Sequence, residues 1–533
     1  MGQVVDWSSS YAHYPHGASL AALALSQRDP RAYWNYLNLV NRANAAELAT
    51  RTSRGAVAAA PRGAKSAQVD WSVELGAEGT AATQYPAKFS FNVNAAPDCT
   101  NDYVVFTIDN APNAGQANIA AFNNLYSGAN LGGNPPLCPG GGPNTYWGYR
   151  VSNVRIETSP AISLDGTKVA FVDDANPAVF HVLTWTANQG TVTAPVTPSG
   201  AEIVDVTLTG ATTDPSSSVF MDYYNDVAYV AANPGNLYKI TGVFRGVPTL
   251  AGGVWPITGL GATPTSPVID FSTGNIFLGN AAGQIFGFTP AGTALANSGT
   301  TIGNGTVHGG ITDPPVIDSL HGLLYLTTGG SAGGTALVGQ FSTTDLSTLA
   351  TAAVGRNNTT TLHAPTFNAA YFSGNANTPG AATEYFLYVC GVAVTPGRTP
   401  VLYRVGFTGS PGTMNSSVDA STVSLSANNG EQCSPLTEFA NPPVNQAGEV
   451  DRLFFGLLTS AFVEDYDIST NTTPTFIARV SEAGGTSAII IDNVSTAVQA
   501  SSIYFSTLSA SAACATAGTN HRCAVKLTQS GLQ

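Results

Sequence analysis

Residues 266–288 read "SPVIDFSTGNIFLGNAAGQIFGF". The stretch divides into strand, Gly-containing turn, strand, small-residue loop and strand, each strand alternating between apolar and small or polar residues. Its middle strand recurs along the chain. The copies are "DYVVFTI" (102–108), "KVAFVD" (168–173), "DVAYVA" (226–231), "NIFLGN" (275–280), "LLYLTT" (323–328), "YFLYVC" (385–390), "RLFFGL" (452–457) and "SIYFST" (502–507). They align one aromatic column: Phe106, Phe171, Tyr229, Phe277, Tyr325, Tyr388, Phe455 and Phe505. A further strand follows each copy, as in "VFHVLTW" (179–185), "NLYKI" (236–240) and "CAVKL" (523–527).

Copies of such a core at a spacing of about 50–65 residues predict an all-β fold, an eight-bladed β-propeller with seven blades as the alternative. A fourth strand is read in "TYWGYRV" (145–151) and "GVWPITG" (253–259), each with a Trp. The same pattern, "VDWSVEL" (69–75), precedes the first repeat, whereas the last repeat runs out of chain after its third strand. The expectation is that 69–75 pairs into the last blade and closes the ring, which removes two open sheet edges.

Blade geometry also pairs the cysteines. Cys99 with Cys138, Cys390 with Cys433, and Cys514 with Cys523 each fall on a common face of the disc, within disulfide reach. Six cysteines with no CxxC predict three disulfides, an oxidising compartment and an extracellular or periplasmic location. Residues 67–533 are read as the propeller and residues 1–66 as a helical and flexible N-terminal arm. Within the arm, 28–49 has a helical pattern with Asp29 as N-cap and Pro30 at the first helical position. The arm packs on the propeller, is processed, or joins another subunit. The apolar run "GASLAALALS" (17–26) lacks a basic segment before it and does not read as a signal peptide.

Charged residues make up only 10% of the 533, and the net charge is −13. The arm carries seven basic and three acidic residues, a net +4, which leaves −17 on the remainder. Such a surface excludes nucleic acid as a partner, because duplex binding needs Lys and Arg against phosphates. No apolar run approaches the ~20 residues of a transmembrane helix, so no transmembrane segment is expected.

The stretches "DWSSSYAHYPH", "RDPRAYWNYL", "QYPAKFSFNVNAAPDCTNDYVVF", "ANIAAFNNLYSG" and "SPAISLDGTKVAFV" resemble secreted bacterial proteins of acidobacteria-like genomes. The resemblance covers the first third of the chain well and the rest more loosely. It implies export and carries over no catalytic residue. The repeats are also similar to PQQ-type propeller repeats, but the tryptophan set that docks a quinone is not recognisable, so no PQQ is expected.

On a propeller, the inter-blade connections and second hairpins share the face where a site would form. His308 ("TVHGGITDPPVID") and His363 ("TLHAPTFN") lie in successive connections, and His521 in "CATAGTNHRC". Asp313 aligns with His363, and Thr265, Thr158 and Cys433 occupy that column elsewhere; Glu157 and Glu431 stand one or two residues before it. The candidate channel-mouth site is therefore His308, Asp313, His363, Glu157 and Glu431. Its chemistry would be a divalent metal such as Ca or Zn held by His308 and His363 with carboxylates, or a His acid–base pair. Equally, Asp and Thr before Pro cap turns, and a His in a Gly-rich connection bonds the backbone. Asp173 and Asp174 are a second carboxylate pair on that face. His181 shares a third-strand column with Lys239, Arg404, Glu464 and Lys526 that reads as solvated.

No G-x-S-x-G, H-E-x-x-H, Walker A or EF-hand pattern occurs. Whether the chain is an enzyme is left open. The leading function is a non-catalytic, envelope-associated binding or assembly protein with a glycan or protein partner, including a homo-oligomer or filament built through the arm. The alternative is a metal-dependent hydrolase or lyase at the channel mouth.

Overall fold

The computed structural model describes residues 2–13, 28, 29, 31 and 67–529, apart from 93–94, 110–114, 131–134, 213–216, 262, 304–309, 332, 358–360, 374–384, 395–396, 409–411, 442–449, 471, 494–498 and 517–518. Nearly all regular structure in them is β-strand in antiparallel meanders.

The repeat at 266–288 shows how the sequence builds one sheet. Strand Val268–Ile269 ends at Asp270, whose carboxylate accepts from Ser272 N and from the Ser272 and Thr273 hydroxyls. Gly274, at φ +77°, completes a turn that a side chain would strain. Ile276–Gly279 then runs antiparallel to Gln284–Phe288, and the turn between them is held by Asn280 Oδ1, which accepts from Ala282 N and Gln284 N. Such side-chain capping of tight turns is what short Asn, Asp, Ser and Thr residues do best. All eight aromatics of the repeated column are buried, at 4% exposure or less.

The sheets follow one another along the chain as Ala87–Ser90 to Asn144–Tyr149, Ala161–Ile162 to Ile203–Thr207, Phe220–Asp222 to Thr249–Leu250, Val268–Ile269 to Thr300–Thr301, Val316–Asp318 to Thr348–Arg356, Thr366–Phe367 to Val423–Ser424, Thr437–Asn441 to Thr475–Ser481, and Ile490–Asn493 to Thr519–Gln529. The fifth and sixth are joined into one sheet through the parallel pair Gly355 and Val392. The arrangement is propeller-like: the first strands of the first and second, third and fourth, fourth and fifth, and sixth and seventh sheets lie side by side, and Ile490–Asn493 of the last sheet lies beside Ala87–Ser90 of the first.

Strand Ala67–Gly76 pairs antiparallel with Thr519–Gln529, as the repeat pattern requires. The fourth strand of the third sheet, however, is Thr249–Leu250, and the expected "GVWPITG" strand contributes only a bridge from Ile257 to Leu237. The three disulfides Cys99–Cys138, Cys390–Cys433 and Cys514–Cys523 form, with Cα atoms 5.7, 6.3 and 5.8 Å apart.

Charges are buried where the first and last sheets meet. Lys88 Nζ lies 2.8 Å from Asp492 Oδ2, and Lys526 Nζ 2.7 Å from Asp70 Oδ2. Both ammonium groups stand over the Tyr126 ring, at 5.7 and 5.5 Å, and its hydroxyl donates to Asp102 at 2.8 Å. Pairing of this kind is what permits charge in a low-dielectric interior.

The start of the chain is part of this body. Gln3–Val5 pairs antiparallel with Ala87–Ser90, and Ala12–His13 pairs parallel with Val316–Asp318, each on the edge of the first strand opposite its second strand. Between them, a 3-10 turn (Trp7–Ser10) capped by Asp6 buries Trp7, whose indole N–H donates to Val219 O at 2.8 Å and whose ring packs on Phe220. Arg31 Nη1 lies 2.7 Å from Asp6 Oδ1, which anchors this segment further. The helical pattern at 28–49 falls almost wholly outside the described residues.

Candidate functional site

The connections between sheets meet the N-terminal segment around a cavity of about 210 Å³. Thr83, Glu157, Ser218, residues 263–266, residues 311–314 and Thr361 form its walls, with Trp7, Tyr11 and Tyr85 also lining it. This is the face anticipated for a site.

A hydroxyl relay shapes one wall. Tyr85 N donates to Ser159 Oγ at 2.9 Å, Ser159 N to Ser218 Oγ at 2.8 Å, and Ser218 N to Ser266 Oγ at 2.7 Å. Each bond crosses from one sheet to the next, so consecutive first strands are stitched at the cavity. The neighbouring hydroxyls point the other way: Thr158, Ser217 and Thr265 accept from Val172, Ala231 and Gly279 N in the second strand of their own sheet. Ser434 does the same for Gly456 N, so the true member of that column is Ser434 rather than Cys433.

Asp313 stands on another wall, 5% exposed. Its Oδ2 accepts from Tyr11 O–H at 2.8 Å and from Ala364 N at 2.8 Å, and His363 Nδ1 lies 3.3 Å away. Burial, then the charge of Asp313, pushes the Tyr11 phenol well up, and the same two causes raise Tyr85, so both remain protonated. Glu157 lines the cavity at 30% exposure, 3.8 Å from Arg155.

The structure thus gathers Asp313, His363 and Glu157 at or beside one cavity. Glu431 is elsewhere: it is 1% exposed, and its carboxylate caps the turn at Thr459 N and Ser460 N, at 2.6 and 2.8 Å. His308 lies outside the described residues. His521 Nδ1 pairs with Glu74 Oε1 on the last sheet. Among the described residues no group of three His, Cys, Asp or Glu side chains is disposed to hold a metal ion.

Four charged members of the third-strand column are buried, not solvated, whereas Lys239 is half-buried and its ammonium donates to Pro290 O at 3.2 Å. His181 is 3%, Arg404 4%, Glu464 0% and Lys526 0% exposed. Each finds an opposite charge on or near the outermost strand: His181 with Asp205, Arg404 with Asp419, Glu464 with Arg479, and Lys526 with Asp70. Asp173 is taken up at Nε2 of His181, 3.0 Å away, and so does not form the carboxylate pair with Asp174 that its sequence position suggested. Cross-strand charge complementarity was the signal that could have found these pairs. The serine relay and the Tyr11–Asp313 bond left no such local signal.

No protein-family model and no curated protein matches the chain. Solved structures do. Sqt1 from Chaetomium thermophilum is 9% identical with a TM-score of 0.50, over 87% of this chain and 98% of that one. The Dos1 propeller is 10% identical with a TM-score of 0.47, over 86% and 95%. BamB from Moraxella catarrhalis is 13% identical with a TM-score of 0.41, over 78% and 95%. The likeness to Sqt1 shows the fold alone.

Proposed function

We propose that this chain is a secreted, non-catalytic binding protein, an eight-bladed ring closed by Ala67–Gly76 that presents one cavity at the mouth of its axis. The observation that carries this is the cavity itself: successive connections and the N-terminal segment converge on it, and three of its serines are stitched to neighbouring sheets by backbone N–H groups. Preorganised polar groups around a small concavity are what a binding site needs. Three disulfides suit an oxidising environment outside the cytoplasm. An assembly role through the arm would draw on residues beyond His13, because Gln3–His13 is engaged within its own chain. Binding of the full chain to glycan and peptide arrays tests the reading. Thr312→Trp, at an exposed position on the cavity wall, should abolish the signal. Binding that survives this substitution would place the site elsewhere.

A hydrolase or lyase at the same mouth is the second reading, favoured by His363 Nδ1 lying 3.3 Å from Asp313 Oδ2, which brings an imidazole and a carboxylate into charge-pair range without a hydrogen bond between them. A metal held by His308 and His363 belongs to this reading. Stoichiometric zinc or calcium in purified protein, lost in His363→Ala, would support it.

A further inference from the structure

The cavity separates its donors from its acceptors. Ser159, Ser218 and Ser266 each accept one backbone N–H, and no acceptor for their own hydroxyl protons exists among the described residues. They are 1%, 7% and 6% exposed, so those protons have only the cavity in which to find a partner. The acceptors are carboxylates. Asp313 uses only Oδ2 for Tyr11, Ala364 and His363, and its Oδ1 makes no hydrogen bond among the described residues. Glu157 is the other carboxylate among the described lining residues, which include no Lys or Arg.

This polarity sorts ligand chemistries. An anion would meet the carboxylates of Glu157, which has Arg155 at 3.8 Å, and of Asp313, which has no Lys or Arg partner among the described residues. A quaternary cation would satisfy the carboxylates but accept nothing from three serine protons, which costs binding energy for each donor left unmet. A hydroxyl group both donates and accepts, so neighbouring hydroxyls on one ring can take the serine protons and give their own to Asp313 and Glu157. Trp7, Tyr11 and Tyr85 also line the cavity and contribute apolar atoms to its wall. At about 210 Å³ the cavity is smaller than the roughly 300–1,000 Å³ of drug-sized sites, which limits the ligand to about one ring. We infer that the cavity binds a single neutral sugar residue, free or at the end of a glycan, with Ser159, Ser218, Ser266 and Asp313 as the residues that set specificity. This rests on the reading of the cavity as the binding site.

Saturation-transfer NMR on the full chain tests it, with glucose, galactose, mannose and N-acetylglucosamine as neutral probes and choline and phosphate as charged ones. At least one neutral sugar should show transfer, and both charged probes none. Ser218→Ala removes a donor, and Ser218→Thr keeps the hydroxyl but narrows the cavity. Each should weaken sugar binding about tenfold, and the Thr variant should keep the wild-type melting temperature. Choline or phosphate binding in place of the sugars, and lost in the same variants, overturns the sugar while leaving the cavity as a site. Silence from every probe, or sugar binding unchanged in both variants, overturns both.

Discussion

Tyr11 donates its phenolic proton to Asp313 Oδ2 at 2.8 Å, across 302 residues of chain. The bond joins the N-terminal segment to the connection that leads into Val316–Asp318, and both residues are at most 5% exposed. Replacing the phenol with Phe leaves a nearly buried carboxylate short of a donor. Tyr11→Phe should cost about 1.5–3 kcal/mol, the usual worth of a hydrogen bond to a charged group. Urea denaturation measures it; a change below half a kilocalorie would mean that the segment is held by Trp7 and backbone pairing alone.

His181 carries a pH dependence. Burial alone would lower its pKa, but hydrogen bonds and charge from Asp173 and Asp205 outweigh it, and the net shift is upward. The Asp173 carboxyl is held down: burial opposes this, but the hydrogen bond and charge from His181 outweigh it. A cation favoured in the fold contributes fully below its unfolded pKa, about 6.5, and its contribution is lost as pH rises through the raised folded value. The carboxylate contributes above its unfolded value, about 3.9, and loses that contribution as pH falls through the lowered one. The stability difference between wild type and His181→Gln should therefore be largest near pH 5 and shrink toward pH 8. Melting temperatures of both proteins across that range decide it; a flat difference would refute a charged imidazole.

Lys526 and Asp70 fasten the outermost strand of the last sheet. Lys526→Met leaves Asp70 buried without its cation and should cost about 3–5 kcal/mol. Adding Asp70→Asn removes the orphaned charge as well, so the double variant should recover much of that loss. A double-mutant cycle from denaturation curves provides the test, and strictly additive losses would show that the two groups do not act as a pair.

Glu482 is shifted in the opposite direction to Asp173. Its side chain is 7% exposed, and burial pushes the carboxyl from 4.5 up to about 7. The folded state holds this proton more tightly than the unfolded chain does, so stability falls as pH rises from 4.5 to 7. Glu482→Gln should match wild type near pH 4 and exceed it by about 3 kcal/mol at pH 8. Equal stability at both pH values would mean that the carboxyl is solvated.

Much of this was legible in the residues. The middle strand of "SPVIDFSTGNIFLGNAAGQIFGF" announces itself through alternation and turn chemistry, and its aromatic column is buried throughout. The pairing of 69–75 with the last strand and the three disulfides followed from counting strands, because a repeated register carries position as well as type. Those features depend on periodicity, which is a local property of the chain.

The site depended on something else. Asp313 and His363 come from neighbouring connections, Glu157 from a connection more than 150 residues earlier, and Tyr11 from the start of the chain. Glu431 was indistinguishable from them in sequence, yet its carboxylate turns back to cap Thr459 and Ser460. Sequence by itself determined the repeated middle strands, the pairing of 69–75 with the last strand and the covalent links, since each is written in spacing along the chain; the outer strand of the third sheet, at Thr249–Leu250, was not. Only the tertiary structure decided that residues 3–13 pair with the first strands of the first and fifth sheets, that four of the third-strand charges are buried in pairs, and that three serine hydroxyls share one wall. Those outcomes are set by distances across sheets, where no spacing along the chain records which side chains meet.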